Sequence, residues 1–596
     1  MKKNRKTTEN GGAAESAARL FAAAAMLTAT IAAQAAATPP KTASPFGDGM
    51  VLQRDKPAPV WGKAAPGEKI SVSFAGRTVT TAAGADGRWR VSLPPMPASK
   101  TSRTLTVKSL DSGTERAFRD VLVGEVWLAS GQSNMALLIW SGDPRVRDRN
   151  GAAVMQIVRN REVRYANLLD WQTSDTPQDS IGTFVWREHR PENVGRGWDG
   201  GQSAVAFYFA ELIHQALDVP VGMIVACAGG TPIKPFFVGN PVWNHYFAPT
   251  APYACRGLIW YQGESDPAYG EEEYVAQLKK FLDGWSAAFE NPGLPMCIAQ
   301  ICSGGAVARA QALFARRDTR AHTAVTYDVG NPWDIHPNEK FTVGLRLALL
   351  ALKYEYGWSD IRAESPSPRS ARVETGGAVR IAFDNAVSFY SYARDHSAKT
   401  SFELAGKDGK WHPAALANQI GRKTGKDGRE TCHGEFSGVQ LVLSSPEVPE
   451  PCKVRNCADP RLAVVYNESA LPIGPFEMSL PAEAVPPPEA GEFSAHIGAV
   501  GAAKVLERFN QLAGAPKPVG APAAGRAVKV AMIGANGKGL SSAAAGVKLS
   551  TAYEEIIAGK ADSIVIDFTG VVWEEEPVVY FAADWVKTRL TDAWGL

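Results

Sequence analysis

The sequence predicts a mixed α/β protein in which a central domain with a mainly parallel sheet is flanked by two β domains. Two observations support this fold class, and a third concerns the end of the chain. Strand-like and helix-like segments alternate over residues 121–358, which is typical of a parallel sheet. Short runs of alternating apolar and polar residues, separated by Gly- and Pro-rich turns, fill residues 44–120 and 359–482. Residues 492–596 form a further α/β tail whose role the sequence does not indicate.

The first 37 residues have the organisation of a secretory signal peptide. The basic segment Met1–Lys6 precedes the apolar stretch Leu20–Ala33 and a run of small residues, which is the pattern that signal peptidases cleave. We expect cleavage near Ala35–Ala37, and an uncleaved membrane anchor is the alternative. No later segment stays apolar over the ~20 residues that a membrane-spanning helix needs. We therefore expect a soluble, exported protein that is periplasmic or secreted.

The overall composition argues against some classes of partner and site. The 596 residues include 63 basic and 61 acidic side chains, with a net charge of +2, which gives no reason to expect binding to nucleic acid or an anionic membrane. The seven cysteines contain no Cys-x-x-Cys pair, so we expect no metal site. We expect no other cofactor. An oxidising compartment would allow disulfides among Cys432, Cys452 and Cys457, with the pairing left open.

The two flanking domains are predicted from short strands. In the N-terminal domain, turns at Pro66-Gly67 and Asp86-Gly87 separate runs whose spacing is typical of a small β sandwich. The predicted strands there are Met50–Gln53, Ala58–Gly62, Lys69–Phe74, Arg77–Thr81, Arg88–Leu93 and Thr104–Lys108. The predicted strands of the C-terminal domain are Ala378–Phe383, Ser401–Leu404, Gln440–Leu443 and Ala463–Tyr466.

A Pro-rich linker, residues 483–491, connects the second β domain to the tail. The tail contains two apolar strands, Val528–Ile533 and Ser563–Phe568. The Gly-rich segment Gly534–Gly539 lies between them, but it lacks the four-residue gap that a Walker phosphate loop requires. We interpret it as a turn.

The central domain combines buried strands with amphipathic helices. The predicted strands are Gly124–Ala129, Val221–Cys227, Gly257–Tyr261, Met296–Ile301 and Thr323–Asp328. Helices over Ser203–Leu217 and Glu272–Phe289 each carry one apolar stripe. A third helix is predicted to begin at Pro337, because proline suits the first helical position.

Four loops of small and polar residues follow predicted strands of this domain: Ser130–Asn134, Gly229–Thr231, Gln262–Asp266 and Asp328–His336. The carboxyl ends of parallel strands meet at one edge of a sheet, where ligands bind in open α/β folds. The loops contribute a hydroxyl, glycine N–H groups, an amide and a histidine with nearby carboxylates, which are the groups that acyl transfer needs. A serine-rich turn or a single histidine is more often structural, but their combination indicates a catalytic site.

The same segments resemble the sialate O-acetylesterases, a family of SGNH-type carbohydrate esterases. The matching motifs, in order, are Asp48–Pro57, Val60–Gly62, Gly124–Met135, Ser203–Ala206, Gly229–Ile233, Trp260–Ser265, Asp334–Pro337, Val343–Ala348 and Asn467–Phe476. The resemblance implies a flavodoxin-like, three-layer α/β/α catalytic domain over residues 121–358, with sandwich-like β domains beside it. It also implies an exported enzyme that removes O-acetyl groups from sialic acids through a serine acyl-enzyme.

The resemblance assigns the central catalytic roles to residues of two loops. Ser133 is expected to be the nucleophile and His336 the base that accepts its proton. Asp334 is expected to orient His336, with Asp328 as the alternative.

The remaining site residues are expected to stabilise the oxyanion and support the loops. The backbone N–H groups of Ser133 and Gly230 and the side chain of Gln262 would form the oxyanion hole. SGNH enzymes generally have an asparagine at the last of these positions, so this chain departs from the pattern. Asn134 and Glu264 are expected to be supporting residues.

The sugar specificity is left open by two further departures. Lys234 occupies a position that is often acidic in the family, and Asp266 one where asparagine is common. Candidates for binding a substrate carboxylate are Arg187, Arg190 and Arg196. The alternatives to a sialate O-acetylesterase are an esterase for acetylxylan or another acetylated glycan, and a non-catalytic glycan-binding protein.

Overall fold

A computed structural model describes residues 38–168, 172–182, 184–331, 333–386, 388–392, 399–417, 419–420, 433–436, 440–459, 461–482, 484–485, 527–531 and 563–567. The predicted signal peptide, Cys432 and Gly534–Gly539 lie outside the described residues. So do most of the linker and of the tail.

The N-terminal region consists of strands and contains all six that the sequence predicts. They are β1 (Lys41–Thr42), β2 (Val51–Gln53), β3 (Ala58–Lys63), β4 (Lys69–Phe74), β5 (Arg77–Ala82), β6 (Arg88–Leu93), β7 (Ser99–Ser109) and β8 (Glu115–Gly131). β3 lies between β1 and β6, while β4 pairs with β5 and β7. β7 then pairs with β8, which continues into the central sheet.

The central sheet adds β9 (Asn160–Asn167), β10 (Arg187–His189), β11 (Val221–Cys227), β12 (Gly257–Tyr261), β13 (Met296–Ala299) and β14 (Ala321–Ala324). Its order is β10-β9-β11-β8-β12-β13-β14, and every pair is parallel except β10 with β9. The mainly parallel sheet is therefore confirmed, although β9 and β10 were not predicted.

Strand β8 joins the two regions. Its first half is antiparallel to β7, and its last residues pair in parallel with β11 and β12. The predicted domain boundary between residues 120 and 121 falls inside this continuous strand of 17 residues.

Helices cover both faces of the central sheet. They are α1 (Ser133–Ala136), α2 (Gly151–Ile157), α3 (Pro191–Val194), α4 (Ala204–Leu217), α5 (Glu271–Ala288), α6 (Gly305–Arg317) and α7 (Phe341–Glu355). Because side chains alternate along a strand, Val126 of β8 belongs to one core with Phe281 of α5. Trp127 belongs to a second core with Phe209 of α4 and Leu347 of α7. The predicted three-layer α/β/α arrangement is confirmed.

The prediction that the last helix begins at Pro337 is wrong, because α7 begins at Phe341. Two carboxylates, one from a distant segment and one from the turn itself, bind N–H groups at the point where the helix begins. The Lys340 N–H donates to the Asp148 carboxylate at 3.0 Å, and the Thr342 N–H donates to Glu339 at 3.2 Å. These carboxylates bind N–H groups that the first turn leaves unsatisfied, so tertiary contacts outweigh the preference of proline for a helix start.

The region after the central domain forms three small sheets and contains the four predicted strands. Its strands are β15 (Ser367–Glu374), β16 (Val379–Asp384), β17 (Phe389–Tyr392), β18 (Phe402–Ala405), β19 (Trp411–Pro413), β20 (Ala415–Leu416), β21 (Gln419–Ile420), β22 (His433–Phe436), β23 (Gln440–Ser444), β24 (Lys453–Asn456), β25 (Val464–Asn467), β26 (Phe476–Ser479) and β27 (Ala484–Val485). In the tail, β28 (Ala527–Ala531) pairs in parallel with β29 (Ser563–Asp567). Cys452 and Cys457 are free thiols. Among the described residues, no helix is both long and apolar enough to cross a membrane.

Candidate active site

Three of the four predicted loops begin side by side. Gly131 at the end of β8 is level with Cys227 of β11 and Tyr261 of β12. Neighbouring strands lie about 5 Å apart, so the segments that follow these residues converge at one edge of the sheet. The fourth loop follows β14, which is separated from β12 only by β13.

Gly131 allows the chain to leave β8 at this edge. Its φ is +146°, and a Cβ at this position would lie 2.1 Å from the carbonyl oxygen of Tyr261. A larger residue is therefore excluded by contact with the neighbouring strand. The chain then reaches Ser133, the first residue of α1, whose side chain is partly exposed.

Ser133 and His336 are in direct contact. The Nε2 atom of His336 lies 2.8 Å from the Ser133 Oγ, which is a hydrogen-bond distance between residues 203 positions apart. The carboxylate of Asp334 accepts the His336 backbone N–H at 2.9 Å and lies 3.9 Å from the ring Nδ1. Asp334 thus fixes the backbone of the histidine and is within ion-pair distance of its ring, but not within hydrogen-bond distance.

The surroundings of His336 favour its neutral form. Burial lowers the pKa of the imidazole below its ordinary 6.5, and the nearby charge of Lys340 lowers it further, while Asp334 opposes the shift. At neutral pH the ring therefore lacks its second proton and can accept one from a hydroxyl.

Asp328, the alternative to Asp334, has a different partner. Its two carboxylate oxygens each accept a hydrogen bond from Arg346 at 2.7 Å, and both side chains are buried. This bidentate pair ties the turn after β14 to helix α7. Of the two candidate carboxylates, Asp334 is the one beside His336.

The loop that carries Gly230 is held by the third loop. The carboxylate of Asp266 accepts the Ile233 N–H at 2.9 Å, and Asp266 is only 3% exposed. This residue is therefore a buried contact between two loops, and it does not face the surface where a sugar could bind. Gly230 is exposed and has a φ of +65°. Lys234 does lie at the surface, 5.5 Å from the centre of the Tyr269 ring.

The Gln262 side chain is fully buried and engaged. Its Nε2 donates to the Thr231 carbonyl at 3.2 Å and to the Asp266 carboxylate, while its Oε1 accepts from Tyr274 at 2.7 Å. Both amide protons thus have acceptors. To donate to an oxyanion, Gln262 would have to break one of these two hydrogen bonds, which costs free energy. Its role in the oxyanion hole therefore stays a prediction.

Asn134 and Glu264 lie in contact behind Ser133. The Asn134 Nδ2 donates to Glu264 at 2.5 Å and to the Ile335 carbonyl at 3.0 Å. The Asn134 Oδ1 accepts from the buried ammonium of Lys340 at 2.7 Å. Sequence reasoning missed Lys340, because a single lysine just before a helix carries no pattern that distinguishes it from a surface residue.

The three arginines proposed for a substrate carboxylate differ in their surroundings. Arg190 is paired with Glu188, and Arg196 donates to the Asp199 carbonyl at 2.9 Å. Arg187 is half-buried and donates to the Val185 carbonyl at 3.3 Å. Burial lowers the pKa of Arg187, and the neighbouring charge of Arg196 adds to this effect. Among the described residues, no carboxylate lies within ion-pair distance of Arg187.

Comparisons with known proteins agree with this architecture. The family model of a sialic acid-specific carbohydrate acetylesterase matches residues 123–330. Human sialate O-acetylesterase is 24% identical over 504 residues, covering 73% of this chain and 91% of the human protein. The rat protein of the same name is 23% identical over 521 residues, covering 72% and 92%.

A solved structure is similar over most of the chain. A carbohydrate acetylesterase from Xanthomonas citri has a TM-score of 0.63 and 30% identity, covering 74% of this chain and 99% of the other. From the matched family, the sequence relatives and this shared fold, we conclude that the chain belongs to the sialate O-acetylesterase family of SGNH-type carbohydrate esterases and is a carboxylic ester hydrolase.

Proposed function

We propose that this protein is an exported enzyme that removes O-acetyl groups from sialic acids through a serine acyl-enzyme. The observation that carries the mechanism is the distance of 2.8 Å between the Ser133 hydroxyl and the His336 Nε2. Both side chains are partly open to solvent at the carboxyl edge of the sheet, where a bound ester could reach them.

In the proposed reaction, His336 accepts the hydroxyl proton while the Ser133 Oγ attacks the acetyl carbonyl carbon. The backbone N–H groups of Ser133 and Gly230 stabilise the resulting oxyanion. The C–O bond to the sugar then breaks, and His336 returns the proton to the sugar oxygen. In the second half of the reaction, His336 accepts a proton from water while the water oxygen attacks the carbonyl carbon of the acetyl-serine. The bond to the Ser133 Oγ then breaks and His336 gives the proton to that oxygen, which releases acetate and restores the hydroxyl.

Exposed apolar side chains beside the histidine suit a sugar substrate. Trp333 is 87% exposed and Ile335 is 57% exposed, and they flank Asp334 on the same loop. Large apolar side chains that protrude next to reactive groups are typical of ligand-binding surfaces. An indole ring offers a flat apolar face with a polar N–H at its edge, which suits a sugar ring.

The half-buried Arg187, on the edge strand β10, is our candidate for binding the carboxylate of an acidic sugar. This guanidinium is partly removed from water and has no carboxylate within ion-pair distance among the described residues, so a substrate carboxylate would be a favourable partner for it. Arg187→Met should therefore raise KM for an O-acetylated sialic acid by about 10-fold or more. Its kcat/KM for p-nitrophenyl acetate, which has no carboxylate, should not change. Equal effects on the two substrates would contradict the carboxylate contact.

The mechanism is tested by replacing the nucleophile. Ser133→Ala should lower kcat for p-nitrophenyl acetate by about 10⁴-fold or more, and it should abolish labelling by a serine-reactive fluorophosphonate probe. Circular dichroism and thermal unfolding of the variant should match the parent protein. Full activity in Ser133→Ala would refute the acyl-enzyme, and an unlabelled, inactive parent would favour the non-catalytic glycan-binding alternative.

The substrate is tested by acetate release from O-acetylated sialic acids and from acetylated xylan at equal acetyl concentration. We expect a higher kcat/KM on the sialic acids, and the reverse order would identify an acetylxylan esterase. Export is tested separately, by determining the N-terminal residue of the protein recovered from the periplasm or medium. We expect it to lie just after Ala35–Ala37, and a protein that keeps Met1 would contradict cleavage.

A further inference from the structure

A buried lysine lies behind the reacting serine. Lys340 immediately precedes helix α7, and its side chain is fully buried. Lysine side chains normally extend their ammonium group to water, and transferring that charge to the interior is costly. A lysine in this position therefore needs partners that stabilise its ammonium group.

The partner of the ammonium is the residue that follows the nucleophile. The Lys340 Nζ donates to the Asn134 Oδ1 at 2.7 Å and lies 5.0 Å from the centre of the Tyr261 ring. The other end of the same carboxamide donates to the Ile335 carbonyl at 3.0 Å. Ile335 directly precedes His336. Two consecutive hydrogen bonds thus connect the lysine to the loop that carries the proposed base.

The second acceptor of the Asn134 amide is also buried. Glu264 accepts from Asn134 through Oε1 at 2.5 Å, but its Oε2 has no hydrogen-bond partner among the described residues. Glu264 therefore restrains the Asn134 amide from one side while the Lys340 ammonium restrains its oxygen. With both ends bound, the carboxamide cannot rotate without breaking a buried hydrogen bond.

We propose that Lys340 is a positioning residue, which holds the Asn134 carboxamide so that its amide fixes the Ile335 carbonyl and keeps the His336 ring against the Ser133 hydroxyl. This inference rests on the proposed serine mechanism. Lys340 does not touch the reacting atoms; it acts through Asn134 on the distance between the two residues that do.

The charge of Lys340 has a second effect on the same histidine. The charged groups that face His336 are Asp334, whose carboxylate favours the protonated ring, and Lys340, which favours the neutral one. The groups that face Lys340 are Cys302, Glu264, Asp148 and Glu339, and burial outweighs their influence and lowers its pKa to about 8. Below that pH, the lysine is charged and assists the neutral form of His336.

The main test is Lys340→Met, which keeps the length and burial of the side chain but removes its donor and charge. We expect kcat for p-nitrophenyl acetate to fall by about 100-fold, as for a misplaced catalytic group, with little change in KM. We also expect the acidic limb of the pH–rate profile to move to higher pH, because the charge that favours neutral His336 is lost. A purely structural role would not move that limb.

Asn134→Ala separates the two effects. It breaks the link to the Ile335 carbonyl but leaves the lysine, so kcat should fall while the acidic limb does not move to higher pH. Both residues act through the Asn134 carboxamide. The double variant Lys340→Met/Asn134→Ala should therefore have nearly the same kcat as the less active of the two single variants. If the fold-loss of kcat in the double variant equals the product of the two single losses, the two residues act independently, which would contradict the inference.

Lys353→Met is the matched control. Lys353 lies near the far end of the same helix, about 20 Å away by helical rise, and pairs with Glu364 at 2.7 Å. Its loss should change neither kcat nor the pH profile. If Lys340→Met fails to fold, the variant Lys340→Met/Glu264→Gln also removes the carboxylate of Glu264. In that variant, kcat and the position of the acidic limb are measured in the same way.

The outcomes distinguish this inference from the mechanism on which it rests. Parental kcat and an unmoved acidic limb in folded Lys340→Met would overturn the positioning role, even if Ser133→Ala is inactive. Full activity of Ser133→Ala would instead overturn the serine mechanism. A loss in Lys340→Met that appears only in KM would also contradict the inference, because a misplaced base lowers kcat.

Discussion

Two buried glutamates near opposite ends of the parallel part of the central sheet differ in how well their charges are satisfied. Glu125 of β8 is fully buried and accepts hydrogen bonds from Arg54, from Arg256 at 2.9 Å and from Gln53 at 3.1 Å. Burial opposes its ionisation, but the arginines outweigh this and hold its pKa below the ordinary 4.5. Glu264, just after β12, has one side-chain partner in Asn134, and burial raises its pKa.

The two glutamates have different roles at the two ends of the sheet. At the end away from the site, the carboxylate joins β2, β8 and the segment before β12 into one unit, with its charge neutralised. At the candidate active site, Glu264 keeps one oxygen without a partner among the described residues. The polar groups there hold the loops and the histidine in place. The two ends should therefore respond differently to substitution.

The largest effect is expected at Glu125. Glu125→Ala leaves two partly buried guanidinium groups without their carboxylate, so the free energy of unfolding should fall by about 3–5 kcal/mol. Urea denaturation measures this loss. The kcat of the folded fraction should be unchanged, because Glu125 lies at the opposite end of the sheet from Ser133. If Glu125→Ala is as stable as the parent protein, the charge of Glu125 does not stabilise that end of the sheet and the comparison with Glu264 is wrong.

A smaller pair of effects is expected from the two aspartates near His336. Asp328→Asn weakens the buried ion pair with Arg346, so the free energy of unfolding should fall by about 3 kcal/mol, with kcat nearly unchanged. Asp334→Asn should have the opposite pattern, with kcat about 100-fold lower and stability unchanged. Measuring both quantities for both variants decides which carboxylate orients the histidine. The reverse assignment follows if kcat falls only in Asp328→Asn.

The smallest effect is expected at Glu264. Glu264→Gln keeps an acceptor for Asn134, so the free energy of unfolding at pH 7 should change by less than about 1 kcal/mol. Its pH dependence sharpens the contrast. The raised pKa of Glu264 means that its contribution to stability is lost as pH rises through that pKa, whereas the stabilisation from Glu125 is present above pH 4.5 and is lost on acidification. Relative to the parent, Glu264→Gln should therefore gain stability as pH rises, and Glu125→Gln should lose it.

The sequence predicted those features that local patterns encode. The run from Gly124 to Met135 combines an apolar strand with a glycine and a serine, and Gly131 does make the sharp departure that brings Ser133 to the sheet edge. The mainly parallel sheet followed from the alternation of strands and helices, and both long amphipathic helices, α4 and α5, followed from periodicity. β10 is too short to carry a reliable period, and β9 was missed as well.

Features set by contacts between distant segments could not be predicted. Pro337 satisfied the local rule for a helix start, but the bond from the Lys340 N–H to Asp148 joins segments 192 residues apart and delays the helix. The burial of Lys340 and the hydrogen bond from Gln262 to the Thr231 carbonyl likewise depend on which loops meet. The sequence identified the loops, while the structure was needed to find which of their polar groups already have partners.

The continuous strand β8 limits how this enzyme can be divided. A fragment that starts at residue 121 would retain Ser133 and His336 but would cut through the strand and remove its pairing with β7. It would also lack Gln53 and Arg54, leaving Glu125 with Arg256 among these side-chain partners. The N-terminal region therefore supplies strand pairing and charge partners to the hydrolase sheet, and we expect a chimera that exchanges it as an independent module to be less stable.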